Sequence, residues 1–173
     1  MTTEILRLFK ETTAEYIRLL SSFSQEQVNT LPFEGSWTAG QVADHINKSN
    51  AAMLQSFGAS GKKAERNIEE RVEALKSSMA NFEEKFKSPE FILPVKDFYI
   101  KEELLAEFNM LTAQLRNVPH TLDLTEIIRH PVLGEISKFE MFHFLVYHTK
   151  RHIHQLENIS SVLFDQISVH QVQ

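Results

Sequence analysis

Four of the eight histidines in the sequence lie within one short segment, FHFLVYHTKRHIH. An α-helix turns by about 100° per residue, so a helix through this segment divides the histidines into two pairs. His148 and His152 fall within about 20° of the direction of Met141, whereas His143 and His154 fall on the opposite side. The face of His148 and His152 is otherwise an apolar stripe, formed by Met141, Leu145, Leu156 and Ile159. We therefore expect the first pair to face the core and the second pair to face solvent.

The inward pair, His148 and His152, has the spacing of two metal ligands. Imidazoles one turn apart on the same side of a helix can bind a single cation. Two neutral imidazoles in an apolar core need polar partners, and a divalent ion would satisfy one nitrogen on each ring. The alternative is a hydrogen-bonded pair without metal, because His-x-x-x-His also occurs by chance in helices. A third ligand from another helix would favour the metal site.

His45 is the best candidate for that third ligand. It lies in the predicted second helix, on a face that also carries Ser49, Ala52 and Ser56. These small side chains would leave room for an ion and a substrate between helices. Taken alone, His45 fits a partly buried, hydrogen-bonded histidine better than a ligand. The remaining histidines, which we interpret as structural or surface residues, are His120, His130 and His170.

The elements that must position these histidines are predicted to be helices. Apolar residues at spacings of three and four predict long helices at about 3–22, 38–57, 102–117 and 138–164. A short turn at 24–28 and a partly exposed helix at about 65–87 would be accessory elements. Capping pairs predict three of the helix starts: Ser24 with Gln27, Thr38 with Gln41, and Ser137 with Glu140. The stretch 119–134 reads as irregular, and no segment competes as a strand, so we expect an all-α four-helix bundle.

Composition limits the classes of function. The 173 residues, of which 42% are hydrophobic and 24% charged, predict a single domain at 1–173, with its core at about 3–164 and a tail at 165–173. Because the sequence has no cysteine, a metal would have to be held by histidine, carboxylate or water. A net charge of −5 argues against nucleic-acid binding. No segment approaches the roughly 20 apolar residues of a membrane span, so we expect a cytoplasmic protein without a membrane partner.

Three segments together resemble a known family: GSWTAGQVADHI, HPVLGEISKFEMFHFLVYH and YHTKRHIHQLENI. They are similar to the DinB/YfiT-like superfamily, described as four-helix-bundle, metal-dependent hydrolases. The resemblance extends over about residues 3–164. It implies that His45, His148 and His152 together bind a divalent metal, zinc or nickel. It does not extend to His143 or His154 as ligands.

Two further residues match the family pattern. Gln155 follows the His-x-x-x-His motif, and we expect it to support the flank of the site rather than to bind the metal. Trp37 stands just before the predicted second helix, where we expect it to anchor the helix start by packing.

Three kinds of function remain open at this point. Three neutral histidines leave coordination positions free on a metal, which suits hydrolysis of a small-molecule substrate by a metal-activated water. The resemblance also includes transferases that use a low-molecular-weight thiol such as bacillithiol, mycothiol or glutathione. The third possibility is a non-catalytic metal-binding bundle. No general base can be assigned among Asp44, Asp97 and Glu102, and Lys150 and Arg151 are predicted to point away from the metal face. Many family members are described as dimers, so the resemblance implies a homodimer, for which no residue pattern marks an interface.

Overall fold

Four long helices form the body of the molecule. The computed structural model describes residues 2–84 and 86–170, with side chains described for 3–84 and 86–164. The helices are α1 (Thr2–Ser22), α2 (Gln25–Asn29), α3 (Ala39–Phe57), α4 (Val72–Ala80), α5 (Lys101–Thr121) and α6 (Lys138–His170), with a 3₁₀ turn at Glu90–Ile92. Helices α1 and α3 each pack against both α5 and α6. The predicted all-α four-helix bundle with short accessory helices is confirmed.

The predicted capping pairs begin the helices as expected. Thr38 Oγ1 accepts from the Gln41 amide at 3.2 Å, and Gln41 Oε1 accepts from the Thr38 amide at 3.0 Å. Reciprocal bonds of the same kind join Ser24 to Gln27 at the start of α2. They also join Ser137 to Glu140 at the start of α6. Each pair satisfies amides that have no partner inside the helix, so the caps determine where α3 and α6 begin.

The helix predicted at 65–87 is wrong in extent, because of the described residues in that range only α4, Val72–Ala80, is helical. Before α4, Arg66 forms a double hydrogen bond with the buried carboxylate of Glu140, and the Arg71 amide donates to the same carboxylate. At the end of α4 and beyond it, the Arg151 guanidinium donates to backbone carbonyls of residues 79, 81 and 84. Interactions with distant residues therefore replace the hydrogen bonds that a longer helix would make with itself.

The stretch predicted to be irregular, 119–134, contributes the central strand of a small antiparallel sheet, which is a second correction. Its strands are β1 (Lys62–Lys63), β2 (Glu126–His130) and β3 (Gly134–Ser137), in the order β1-β2-β3. The register pairs Ile128 with Ile136, and both side chains are buried. Gly134 has a φ of 71°, a backbone conformation that residues other than glycine rarely adopt. Strands this short carry too few alternations to be recognised from periodicity.

Two helix ends also differ from prediction. Helix α5 continues through Pro119 to Thr121 rather than ending near residue 117, and α6 continues to His170 rather than ending near residue 164. The expected tail at 165–173 is therefore helical as far as His170, and residues 171–173 lie outside the described residues. None of the helices in the described part of the chain is long and apolar enough to cross a membrane.

The core has two apolar clusters along the bundle, and His148 and His152 of α6 lie between them. One cluster takes Ile153 and Leu156 from α6, and the other takes Leu145 and Val146. The turn between these pairs carries His148 and His152. Polar rings thus occupy the level of the bundle at which the apolar core is interrupted, and a partner for them must come from neighbouring helices.

Candidate metal centre

Three imidazole rings converge between α3 and α6. The Nε2 atom of His148 lies 3.3 Å from Nε2 of His45 and 3.2 Å from Nε2 of His152. One ligand atom from each of the three residues lies within 4.8 Å of the other two. His45 and His152 are buried and His148 is half-buried. The structure thus brings together the three residues that the sequence singled out.

Hydrogen bonds on the far side of two rings aim their lone pairs at the centre. His45 Nδ1 lies 3.1 Å from the carbonyl oxygen of Ile92, which can only accept, so the proton of neutral His45 lies on Nδ1. His152 Nδ1 donates in the same way to Oε1 of Gln155 at 2.8 Å. Both Nε2 atoms therefore present lone pairs toward His148. Such partners for the second nitrogen are typical of histidines that bind metals.

The convergence of the three nitrogens fits a metal ion. Without an ion, the two lone pairs can share only one proton, on Nε2 of His148. If the His148 proton moves to Nδ1, three lone pairs face one point. Zinc–nitrogen bonds of about 2.0–2.1 Å in a tetrahedral arrangement place ligating nitrogens about 3.3–3.4 Å apart. Two of the three separations, 3.2 and 3.3 Å, agree with that arrangement, and the third lies within 4.8 Å.

Burial keeps these imidazoles neutral. Burial, with a smaller contribution from the neighbouring His45 ring, lowers the pKa of His152 to about 3. Burial also lowers the pKa of His148 well below its usual value, with additional repulsion from His152 and His45. For His45 burial again has the largest effect and lowers the pKa, although the hydrogen bond to Ile92 opposes it. Neutral imidazoles with free lone pairs are the form that binds a metal.

Aromatic side chains hold the rings in place. The Trp37 ring lies 5.2 Å from the ring of His45, and the Phe144 ring stacks on His148 at 5.4 Å. Trp37 does pack at the start of α3, as expected, and it also forms part of the wall of the site. Packing of this kind restricts ring rotation, so the nitrogens are positioned before any ion binds.

The outward histidines are not at the solvent-exposed surface that the helical wheel suggested. His143 is half-buried, with its ring 4.8 Å from Phe139, and Nδ1 lies 3.3 Å from the hydroxyl of Tyr147. His154 is also half-buried and stacks on Phe82 at 3.9 Å. The wheel separated the two pairs correctly, but α4 packs against α6 and the loop after α4 brings Phe82 onto His154. Neither residue joins the three converging rings.

His130 is a buried structural residue at the end of β2, where the turn to β3 begins. Its Nδ1 accepts from the amides of Val132 and Leu133, each at 3.1 Å. This arrangement explains the His-Pro-x-x-Gly segment, because the imidazole closes the turn and Gly134 supplies the positive φ. His120 is exposed at the end of α5, as expected. The side chain of His170 lies outside the described residues.

A cavity of about 750 Å³ adjoins the three histidines. Ser49 and Ala52 line it, so part of the small-residue face of α3 opens onto free space as predicted, although Ser56 does not contribute. No described aspartate or glutamate lines the cavity. Asp44 faces elsewhere, since its Oδ2 lies 2.7 Å from Nζ of Lys48 and accepts from the hydroxyl of Tyr99. Asp97, Glu102 and Lys150 are exposed and do not line the cavity.

Two contacts at the site were not foreseen in detail. Ile92 supplies the carbonyl for His45 from a 3₁₀ turn that no pattern in the sequence indicated. Gln155 was expected to give flanking support, and its contact with His152 follows from their spacing of three residues on one helix.

Comparison with known proteins agrees with the fold. A model of the DinB superfamily matches residues 8–156. In sequence the chain is similar to the uncharacterized protein YuaE of Bacillus subtilis (strain 168), with 26% identity over 158 residues that cover 89% of this chain and 96% of that protein.

Two solved structures have a similar fold. The four-helix bundle protein TT2238 aligns with a TM-score of 0.59 and 17% identity, over 91% of this chain and 99% of that chain. YfiT from Bacillus subtilis, described as a probable metal-dependent hydrolase with an unusual four-helix bundle topology, aligns with a TM-score of 0.62 and 17% identity, over 94% of this chain and 87% of that chain. Identities this low show a shared fold, whereas the family model matches most of the sequence itself. The chain therefore belongs to the DinB superfamily.

Proposed function

We propose that this chain binds one divalent metal ion through His45, His148 and His152 and is a metal-dependent hydrolase of small molecules. The observation that carries the proposal is the convergence of three Nε2 atoms, with separations of 3.2 and 3.3 Å, beside a cavity. A divalent ion at this point would supply Lewis-acid chemistry. The description of YfiT as a probable metal-dependent hydrolase supports the same class of function.

The side chains of this protein would prepare the site in three ways. Ile92 and Gln155 hold protons on the Nδ1 atoms of His45 and His152, which leaves both Nε2 atoms free. Burial keeps the pKa values of the rings low, so protons compete weakly with a metal near neutral pH. Three protein ligands leave room for substrate in a four-coordinate site. Zinc suits three imidazoles at tetrahedral separations, and nickel also accepts imidazole ligands.

One observation favours a second candidate, transfer of a low-molecular-weight thiol to an electrophile. Hydrolysis commonly uses a carboxylate or histidine base to take a proton from water. No described carboxylate lines the cavity, and of its two histidines outside the proposed ligands, His130 accepts turn amides at Nδ1 and His154 stacks on Phe82. A thiol has a pKa near 8.5 and ionises far more readily than water, so its attack does not need such a base.

Metal content tests the site assignment. We expect about one divalent ion per chain in the wild-type protein after incubation with zinc and desalting, and a large loss in His152→Ala. The matched control is His120→Ala, which removes an exposed histidine from α5 and should bind as much metal as wild type. Equal metal in His152→Ala and wild type would contradict the assignment.

Activity assays on the loaded protein then separate the functions. Turnover of ester or amide substrates without added thiol supports hydrolysis, whereas conjugation of a model electrophile that requires a thiol supports transfer. If neither reaction occurs and metal removal costs several kcal/mol of stability, the ion has a structural role. A homodimer, which we retain as a proposal, would appear in sedimentation as twice the mass of the chain.

A further inference from the structure

The described residues that line the cavity beside the three histidines include no acidic side chain, although the chain as a whole is acidic. The sequence contains 23 aspartate and glutamate residues and has a net charge of −5. None of the described residues that line the cavity is acidic, and its two permanently charged residues are Lys87 and Arg151. A cationic ligand would therefore find no counter-charge on the cavity wall.

The rim of the same cavity is aromatic. Phe33, Phe82, Phe86 and Phe91 line it and remain exposed to solvent. Exposed aromatic residues grouped around a cavity mark places where an apolar ligand gains by leaving water. They come from two separate segments of the chain, since Phe33 precedes α3 and the other three follow α4.

One side of this rim is held in place by α6. The guanidinium of Arg151 donates to the carbonyls of Met79 and Asn81, at 3.3 and 2.8 Å, and to that of Glu84. Its central carbon lies 4.9 Å from the centre of the Phe86 ring, a distance typical of a cation–π contact. The aromatic surface is thus ordered without a ligand, which lowers the entropic cost of binding one.

The proposed metal site adds positive charge at the inner end of the cavity. Three neutral imidazoles do not compensate a divalent ion, so the ion favours an anionic ligand. We propose that the cavity selects a small molecule with an aromatic or extended apolar body and one anionic head group that binds the metal. This inference rests on the proposed metal site and specifies the substrate class of that site.

Calorimetric titration of the cobalt-loaded protein with three probes tests the inference. Phenylacetate and acetate share a carboxylate head but differ in the apolar body, whereas phenethylammonium keeps the body and reverses the charge. We expect phenylacetate to bind about tenfold more tightly than acetate, since a phenyl ring buries a large apolar surface. Phenethylammonium should neither bind nor compete. Equal affinities for phenylacetate and acetate, or competition by phenethylammonium, would overturn the proposal.

A matched pair of variants places the apolar contact. Phe91 lines the cavity and is 60% exposed, while Phe98 is 61% exposed and lies outside it. We expect Phe91→Ala to reduce the preference for phenylacetate at least about threefold and Phe98→Ala to leave it unchanged. An unchanged preference in Phe91→Ala would overturn the placement.

The visible spectrum of cobalt reports metal occupancy in each sample. A protein that binds no cobalt would refute the proposed function together with this inference, whereas an occupied site that binds both charges equally refutes the inference alone.

Discussion

Removal of the Gln155 side chain is the perturbation whose effect can be worked out most closely. Gln155 Oε1 accepts the Nδ1 proton of His152 at 2.8 Å, and this bond fixes which nitrogen of the ring is free for a metal. In Gln155→Ala the Nδ1–H of a buried ring has no protein acceptor. The imidazole is then free to change tautomer or to rotate, and either change removes the Nε2 lone pair from the centre.

The magnitude follows from the cost of that hydrogen bond. An unsatisfied buried donor costs about 1–3 kcal/mol. Since about 1.4 kcal/mol corresponds to a factor of ten, zinc affinity should fall roughly 10- to 100-fold. Replacing a residue that hydrogen-bonds to a metal-binding histidine typically lowers metal affinity by a similar factor. Gln155→Glu keeps an acceptor and should bind zinc at least as tightly as wild type.

Competition with a chromophoric chelator measures the zinc affinity of these variants. Asn158→Ala is the matched control, because Asn158 Nδ2 bonds to Nε2 of His154, a histidine outside the proposed site, at 3.3 Å on the same helix. We expect its zinc affinity to equal that of wild type. The reasoning is refuted if Gln155→Ala binds zinc within about threefold of wild type, or if both alanine variants lose affinity equally.

Three further predictions concern stability. Arg66→Met leaves the buried carboxylate of Glu140 without its cationic partner. The free energy of unfolding, measured in urea, should therefore fall by about 3 kcal/mol. An unchanged free energy of unfolding would show that the pair contributes nothing to stability. His130→Ala should cost about 1–2 kcal/mol by the same measurement, whereas His130→Asn, which can accept from the same turn amides, should retain most of that stability. The metal-free protein should lose stability as the pH falls below about 6.5, because burial lowers the pKa of His152 to about 3 while the unfolded chain binds a proton near 6.5. This residue contributes up to about 1.4 kcal/mol per pH unit, and His152→Leu should therefore melt with a shallower pH dependence than wild type.

Local patterns predicted much of the site because its main features are local. His148 and His152 belong to one helix, so their shared direction follows from the helical period alone. The Thr38–Gln41 and Ser137–Glu140 caps depend on residues three apart, and both were recognised. His45 lies 103 residues before His148, and no periodicity connects the two helices. The small residues around His45 and the family resemblance supported its selection as the third ligand. The fold then brings its ring next to those of His148 and His152.

The predictions that were wrong depend on distant contacts. Residues 65–71 favour a helix in composition, but Arg66 and the Arg71 amide bind Glu140, which is about seventy positions away. The Arg151 guanidinium similarly donates a hydrogen bond to a backbone carbonyl beyond the end of α4. The helical period indicates which residues share a face, but it does not show what covers that face. For that reason the half-buried position of His154 beneath Phe82 was not predicted.

The central claim is that His45, His148 and His152 bind a divalent ion together. X-ray absorption at the zinc edge of the loaded protein tests it most directly, because multiple scattering from imidazole rings distinguishes histidine ligands from solvent. We predict about three imidazole ligands with zinc–nitrogen distances near 2.0–2.1 Å, one fewer imidazole in His45→Ala, and an unchanged spectrum in His120→Ala. A spectrum of oxygen ligands alone, or one that His45→Ala leaves unchanged, would contradict the claim.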